Sequence, residues 1–167
     1  GGSWSAADNG TYTIKLNANQ VVDTAGNAVP ANASLDTFTV NAGFLVDVQL
    51  VARTSPGGSD TAATLPTSIT DITAGDGFYL EVWVQDIESN VGVTGGYTTI
   101  TNSTAVAQAL ALNHGLIYTL FPQGTINNPQ WKVETFGGGT LAGGQGVATN
   151  WARLGYVQYD SVKAGEI

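Results

Sequence analysis

Residues 75–85 read GDGFYLEVWVQ. Gly75-Asp76-Gly77 closes a turn, and from Phe78 onward apolar side chains recur at every second position. Phe78, Leu80, Val82 and Val84 fall on one side; Tyr79, Glu81, Trp83 and Gln85 fall on the other. A period of two is the signature of a β-strand with one face toward a core. Upstream, Phe44, Val46, Val48, Leu50 and Ala52 repeat the pattern, as do Tyr12, Ile14 and Leu16.

Shorter stretches extend it. Thr37 to Val40, Tyr97 to Thr101, Leu116 to Phe121, Trp131 to Phe136 and Trp151 to Tyr159 read as strands. They are set apart by turn-forming runs such as Asp23-Thr24-Ala25-Gly26-Asn27 and the Gly-rich 137–146. Thr104 to Asn113 is the one stretch with helical spacing, Val106 and Leu110 lying four apart. The fold class is therefore all-β with at most one short helix. Asn41-Ala42-Gly43 marks a boundary between residues 1–42 and 43–167.

Two groups of motifs add a resemblance. Asp8, Gly10 and Tyr12, leading into a strand, resemble the tyrosine corner of immunoglobulin-like sandwiches, whose hydroxyl bonds back to the backbone. Val21, Asp23, Gly26 and Asn27 match a V-x-D-x-x-G-N turn common in bacterial immunoglobulin-like repeats, so residues 1–42 resemble the C-terminal half of such a repeat. Gly75, Asp76, Phe78, Leu80 and Val82, with Gly92, Val93, Gly96 and Tyr97, resemble cohesin-like modules, jelly-roll sandwiches related in fold to carbohydrate-binding modules. Asn102-Ser103-Thr104 departs from that pattern, where an aromatic-Asp pair is usual, and this weakens a dockerin-binding role. The resemblances imply a partial immunoglobulin-like sandwich followed by a cohesin-like jelly-roll sandwich, as in large bacterial surface proteins. They also imply strands missing before Asp8 and after the tail Val162 to Ile167, supplied by the same chain or by a neighbour.

Composition narrows the function. The net charge of −8, with five Lys and Arg, lacks the basic stripe that nucleic acid requires and suits no anionic membrane surface. No apolar run is long enough for a spanning helix. With no cysteine there is neither disulfide framework nor thiolate chemistry. Few charges (11%), 22 glycines and abundant Thr resemble exported bacterial β-proteins, which points to an extracellular or cell-surface home.

Candidate sites are few. His114, the single histidine, stands without a G-x-S-x-G nucleophile elbow and reads as a surface or loop residue. Asp76, Glu81, Asp86 and Glu88 read as solvated positions, not as the facing carboxylates of a glycosidase. Tyr79 and Trp83, four apart on the outward strand face, form a candidate sugar-stacking platform; the competing reading has them covered by the 54–67 loop or a neighbouring module. The Asp/Asn/Gly clusters at 8–10, 23–27 and 71–76 raise calcium as a minor alternative to turn chemistry, so no cofactor is expected. Asn9, Asn32 and Asn102 head glycosylation sequons at a frequency near chance for this composition. The expectation is a non-catalytic extracellular structural or adhesive module of a surface or fibre-forming protein. It would assemble with itself or neighbouring modules through sheet edges or strand complementation. The alternative is a cohesin-like or carbohydrate-binding module for a dockerin-like protein or a polysaccharide.

Overall fold

The computed structural model describes residues 8–40, 46–87, 91–102, 106–147, 149–163 and 165–166. Among them no α-helix occurs; the fold is all-β, with a 3-10 turn at Asn128–Gln130. The chain divides into two compact units, Gly1–Phe44 and Leu45–Ile167. The boundary expected at Asn41-Ala42-Gly43 lies outside the described residues.

Among the described residues, the first unit forms a two-stranded antiparallel sheet, β1 (Gly10–Leu16) against β2 (Asn32–Val40). β2 begins five residues before the strand expected at Thr37. Register sets Tyr12 opposite Phe38, and their rings stack with centroids 5.5 Å apart. Between the strands, Asp23 organises a tight turn. Its carboxylate accepts the Ala25 and Asn27 amides, each at 2.9 Å, and the Asn27 side-chain amide at 2.9 Å. Gly26, at φ +87°, supplies the left-handed residue that the turn needs.

The second unit contains β3 (Val46–Arg53), β4 (Thr61–Ala62), β5 (Asp71–Ile72), β6 (Gly77–Asp86), β7 (Gly95–Thr101), β8 (Ala107–Asn113), β9 (Leu120–Asn127), β10 (Lys132–Gly139), β11 (Trp151–Ser161) and β12 (Gly165–Glu166). One sheet has the order β3-β6-β11, with β4 and β8 both pairing the far edge of β11; a second has the order β7-β10-β9. β5 and β12 form a short pair of their own. The two larger sheets share one core. Phe78, Leu80, Val82, Val84, Leu154, Val157 and Tyr159 of the first pack with Ile100, Val133 and Phe136 of the second. The inward side of β6 is thus the one the period-2 pattern marks.

Two expectations about elements are corrected. The helix at Thr104 to Asn113 is a strand from Ala107 onward, antiparallel to β11, while Thr104 lies outside the described residues. Its helical spacing is overridden by the alternation of Ala107 and Ala109, both buried in the core. The strand expected at Leu116 to Phe121 starts only at Leu120, because Gly115 at φ +64° turns the chain ahead of it.

Candidate functional site

β11 carries a bulge that decides what the first sheet presents outward. Its register against β6 shifts between Arg153 and Gly155. The extra residue keeps Leu154 and Val157 in the core yet leaves Arg153 and Tyr156 together on the outer face, where uninterrupted alternation would send one of them inward. Gly155 permits this. A Cβ there would collide with the Asn113 carbonyl oxygen and come 2.8 Å from the Phe136 ring.

Arg153 anchors a buried charge cluster. Its Nε donates to Asp60 Oδ1 at 2.7 Å, one terminal nitrogen donates to Glu81 Oε1, and the other reaches the Gly57 carbonyl at 3.0 Å. Glu81 also accepts the Gly57 amide (2.7 Å) and the Trp83 indole N–H (2.9 Å), and Asp60 accepts the Leu116 amide at 2.6 Å. Two carboxylates thus share one guanidinium, and three neutral N–H donors offset the surplus negative charge. The guanidinium lies 5.6 Å from the Trp83 ring and 5.3 Å from the Tyr156 ring. These bonds tie the loop after β3 and the turn after β8 to the sheet, and between them opens a cleft of about 560 Å³ lined by Gly58, Ser59, Asp60, Asn113, Leu116 and Tyr156 among others.

The candidate platform residues part company here. Trp83 is 1% exposed, packed with Val51 and Trp151 beneath Ala62 and Leu65 of the 54–67 loop. Of the two readings of this residue, a sugar platform or an aromatic covered by the loop, its burial fits the covered one. Tyr79 is half-buried, and its ring meets that of Tyr156 edge-on at 5.7 Å. The outward aromatic pair is therefore Tyr79 with Tyr156, a residue that strand spacing alone does not single out because the bulge brings it there.

Glu81 and Asp86, read as solvated, are both buried. Asp86 accepts the Val91 and Gly92 amides at 3.1 and 2.9 Å, while Asp76 is exposed and Glu88 lies outside the described residues. The signal for Glu81 is its place on a strand whose outward residues include a Trp: a large ring beside a carboxylate is a means of covering it. His114 follows β8 and is half-buried, its ring tilted over Phe136 at 5.1 Å; its Nδ1 is buried without a hydrogen-bond partner among the described residues.

In the first unit the Tyr12 hydroxyl donates to the Asp8 carbonyl at 2.8 Å, and Gly10 opens the strand between them. Among the described residues no group of three or more His, Asp or Glu is placed to hold a metal ion. The Asp23 carboxylate is instead occupied by its own turn, and the Asn27 side chain followed by the backbone amides holds it below the usual aspartate range. Asn9 and Asn32 of the sequons are exposed; that of Asn102 extends outside the described residues.

Comparison of the chain with protein-family models, with curated proteins and with solved structures returns no match.

Proposed function

We propose that this chain is a non-catalytic structural or adhesive module of a bacterial surface or fibre-forming protein, working outside the cell and assembling through its open sheets. The observation that carries the reading is the small sheet of the first unit and the exposed apolar side chains on it and on its turn. Ile14 lies on a two-stranded sheet and is exposed, as are Val21, Val22 and Val29 of the connection between its strands. Such a sheet is marginal alone, and an apolar face of this kind is a place of contact. Low charge and abundant Thr and Gly agree with an exported β-protein, as do the resemblances to immunoglobulin-like and cohesin-like modules. Sedimentation velocity over a concentration series tests it. Growth in mass with concentration, weakened by Ile14→Lys, is the expected result; a monomer at every concentration overturns assembly through this sheet.

A second reading, as a module recognising a polysaccharide or a dockerin-like protein, draws on the Tyr79–Tyr156 pair beside the cleft. Aromatic faces next to hydroxyl and amide groups suit sugar rings. Affinity electrophoresis in xylan, β-glucan and hydroxyethylcellulose should then show retardation that Tyr156→Ala removes. Equal mobility with and without polysaccharide sets the sugar form of the reading aside.

A further inference from the structure

Phe121 sits in backbone that a phenylalanine avoids. Its φ is +49°, in the left-handed region where a Cβ is crowded, and Pro122 favours extended backbone at the residue before it. The register of β9 against β10 shows how it is held there. Gln123 faces Gly137 and Leu120 faces Gly139, so Phe121 and Pro122 together oppose Gly138 alone. A bulge of this kind re-aims a side chain, and Phe121 is 78% exposed. The strain opposes folding, and a ring left in water adds nothing to stability. Glycine would take the same backbone without strain. Folding therefore gives no reason for a phenylalanine here; a contact made by its ring does.

Tyr97 of β7 comes to the same place. Its hydroxyl donates to the Phe121 carbonyl at 2.9 Å, although β10 lies between β7 and β9. Strands are spaced about 4.8 Å apart, so the phenol spans two intervals, roughly 9.6 Å, by lying along the sheet. The residue opposite Tyr97 on β10 is Gly137, which raises no side chain in its path. Tyr97 is nevertheless 48% exposed. Two aromatic side chains, one tied at both ends and one held out by a bulge, thus meet at the outer surface of this sheet. Their surroundings are uncharged. The other exposed residues of the three strands are Thr, Gln, Pro and Gly, and the half-buried Lys132 and Glu134 neutralise each other at 2.5 Å.

We propose that Tyr97 and Phe121 form a stacking platform for an uncharged polysaccharide. A pyranose ring presents apolar C–H faces to an aromatic ring and hydroxyls at its edge, where Thr99, Gln123 and Thr125 supply partners. A charged ligand would meet no opposite charge there. A nucleic-acid strand, which also stacks on aromatics, would face a chain of net charge −8. A stable protein contact needs about 800 Å² on each side with an apolar centre, whereas here two rings stand among hydroxyls and glycine backbone. The ligand class is that of the polysaccharide reading above, on which this rests. The surface is a different one, on the sheet facing that of Tyr156.

Affinity electrophoresis of the full chain in xylan, β-glucan, hydroxyethylcellulose and galactomannan, paired with thermal melts, tests the platform. The parent should be retarded in at least one gel, and Phe121→Gly and Tyr97→Ala should each weaken that binding about tenfold or more. Phe121→Gly should also melt at or above the parent, because it relieves the strained backbone. This pairing separates a ligand contact from a structural role, since a ring needed for packing would lower the melt when removed. A Phe121→Gly variant that melts below the parent, or that keeps the parent's retardation, overturns the proposal. Retardation lost in Tyr156→Ala yet kept in Phe121→Gly refutes the platform and leaves the cleft as the sugar site. No retardation of the parent in any of the four overturns both. Growth in mass with concentration that Phe121→Gly abolishes would give this face to a protein contact and overturn the proposal too.

Discussion

Tyr118 and Tyr159 are both buried in the core, and their hydroxyls fare differently. Tyr118 donates to the Val93 carbonyl at 3.1 Å, whereas the Tyr159 hydroxyl has no partner among the described residues. A net hydrogen bond contributes roughly 0.5–1.5 kcal/mol, and an unsatisfied buried group costs about 1–3 kcal/mol. Tyr118→Phe should therefore destabilise by about 1 kcal/mol, while Tyr159→Phe should leave stability unchanged or raise it, as read from urea midpoints. Burial pushes the Tyr159 phenol up to about 12. Its folded value lies above the unfolded value near 10, so its contribution is complete below pH 10 and is lost as pH rises toward about 12. Arg153 is the sharper case. Arg153→Leu strands Asp60 and Glu81 as buried carboxylates, and the expected loss is about 3–5 kcal/mol, partly recovered by adding Glu81→Gln. A double variant no more stable than Arg153→Leu alone would sink this account of the cluster.

Among the elements, the inward face of β6 is legible from Phe78 to Val84 because those inward residues are all aliphatic or aromatic and its turn is marked by Gly75. Its outer face is not. Alternation reports which side a residue takes but not what lies above it, so it leaves Glu81 reading as solvated and Trp83 open between a platform and a covered residue, whereas the 54–67 loop lies over both. β8 has helical spacing because Ala, Leu and Gln favour helices locally, and only pairing with β11 reverses that preference. The bulge in β11 left no mark that could be read in advance: a glycine within a strand signals close approach in general, and the approaching groups, Asn113 and Phe136, are distant in sequence. Gly155→Ala should cost several kcal/mol through that collision, whereas at an unobstructed strand glycine the same change should raise stability by roughly 0.5–1 kcal/mol. Thermal melts of Gly155→Ala and of Gly96→Ala, where a Cβ meets nothing within 4 Å, compare the two. Equal shifts would remove the packing explanation.

Over the whole molecule, apolar burial is unevenly shared. Among the described residues the buried core residues lie in the second unit, while those of the first are joined by a strand pairing, a ring stack and a polar turn among other contacts. Local stability follows such differences, so amides of β1 and β2 should exchange well before those of β6 and β11. Acid should widen the gap, for a reason that can be isolated. The Asp23 carboxylate accepts three hydrogen bonds within its turn and is held below its ordinary 3.8. Its folded value is therefore lower than its unfolded one. The stabilisation it gives is complete above about pH 3.8 and fades as pH falls through the lower, folded value. The Asn27 amide, bonded to that carboxylate at 2.9 Å, reports the event directly. In an NMR titration its shift should inflect below pH 3.8, accompanied by loss of the Val22–Ala28 bridge, while β6 and β11 remain protected. Asp23→Asn should abolish the inflection without touching the second unit. An inflection at or above 3.8, or one that survives in Asp23→Asn, would mean that the turn is not held by this carboxylate.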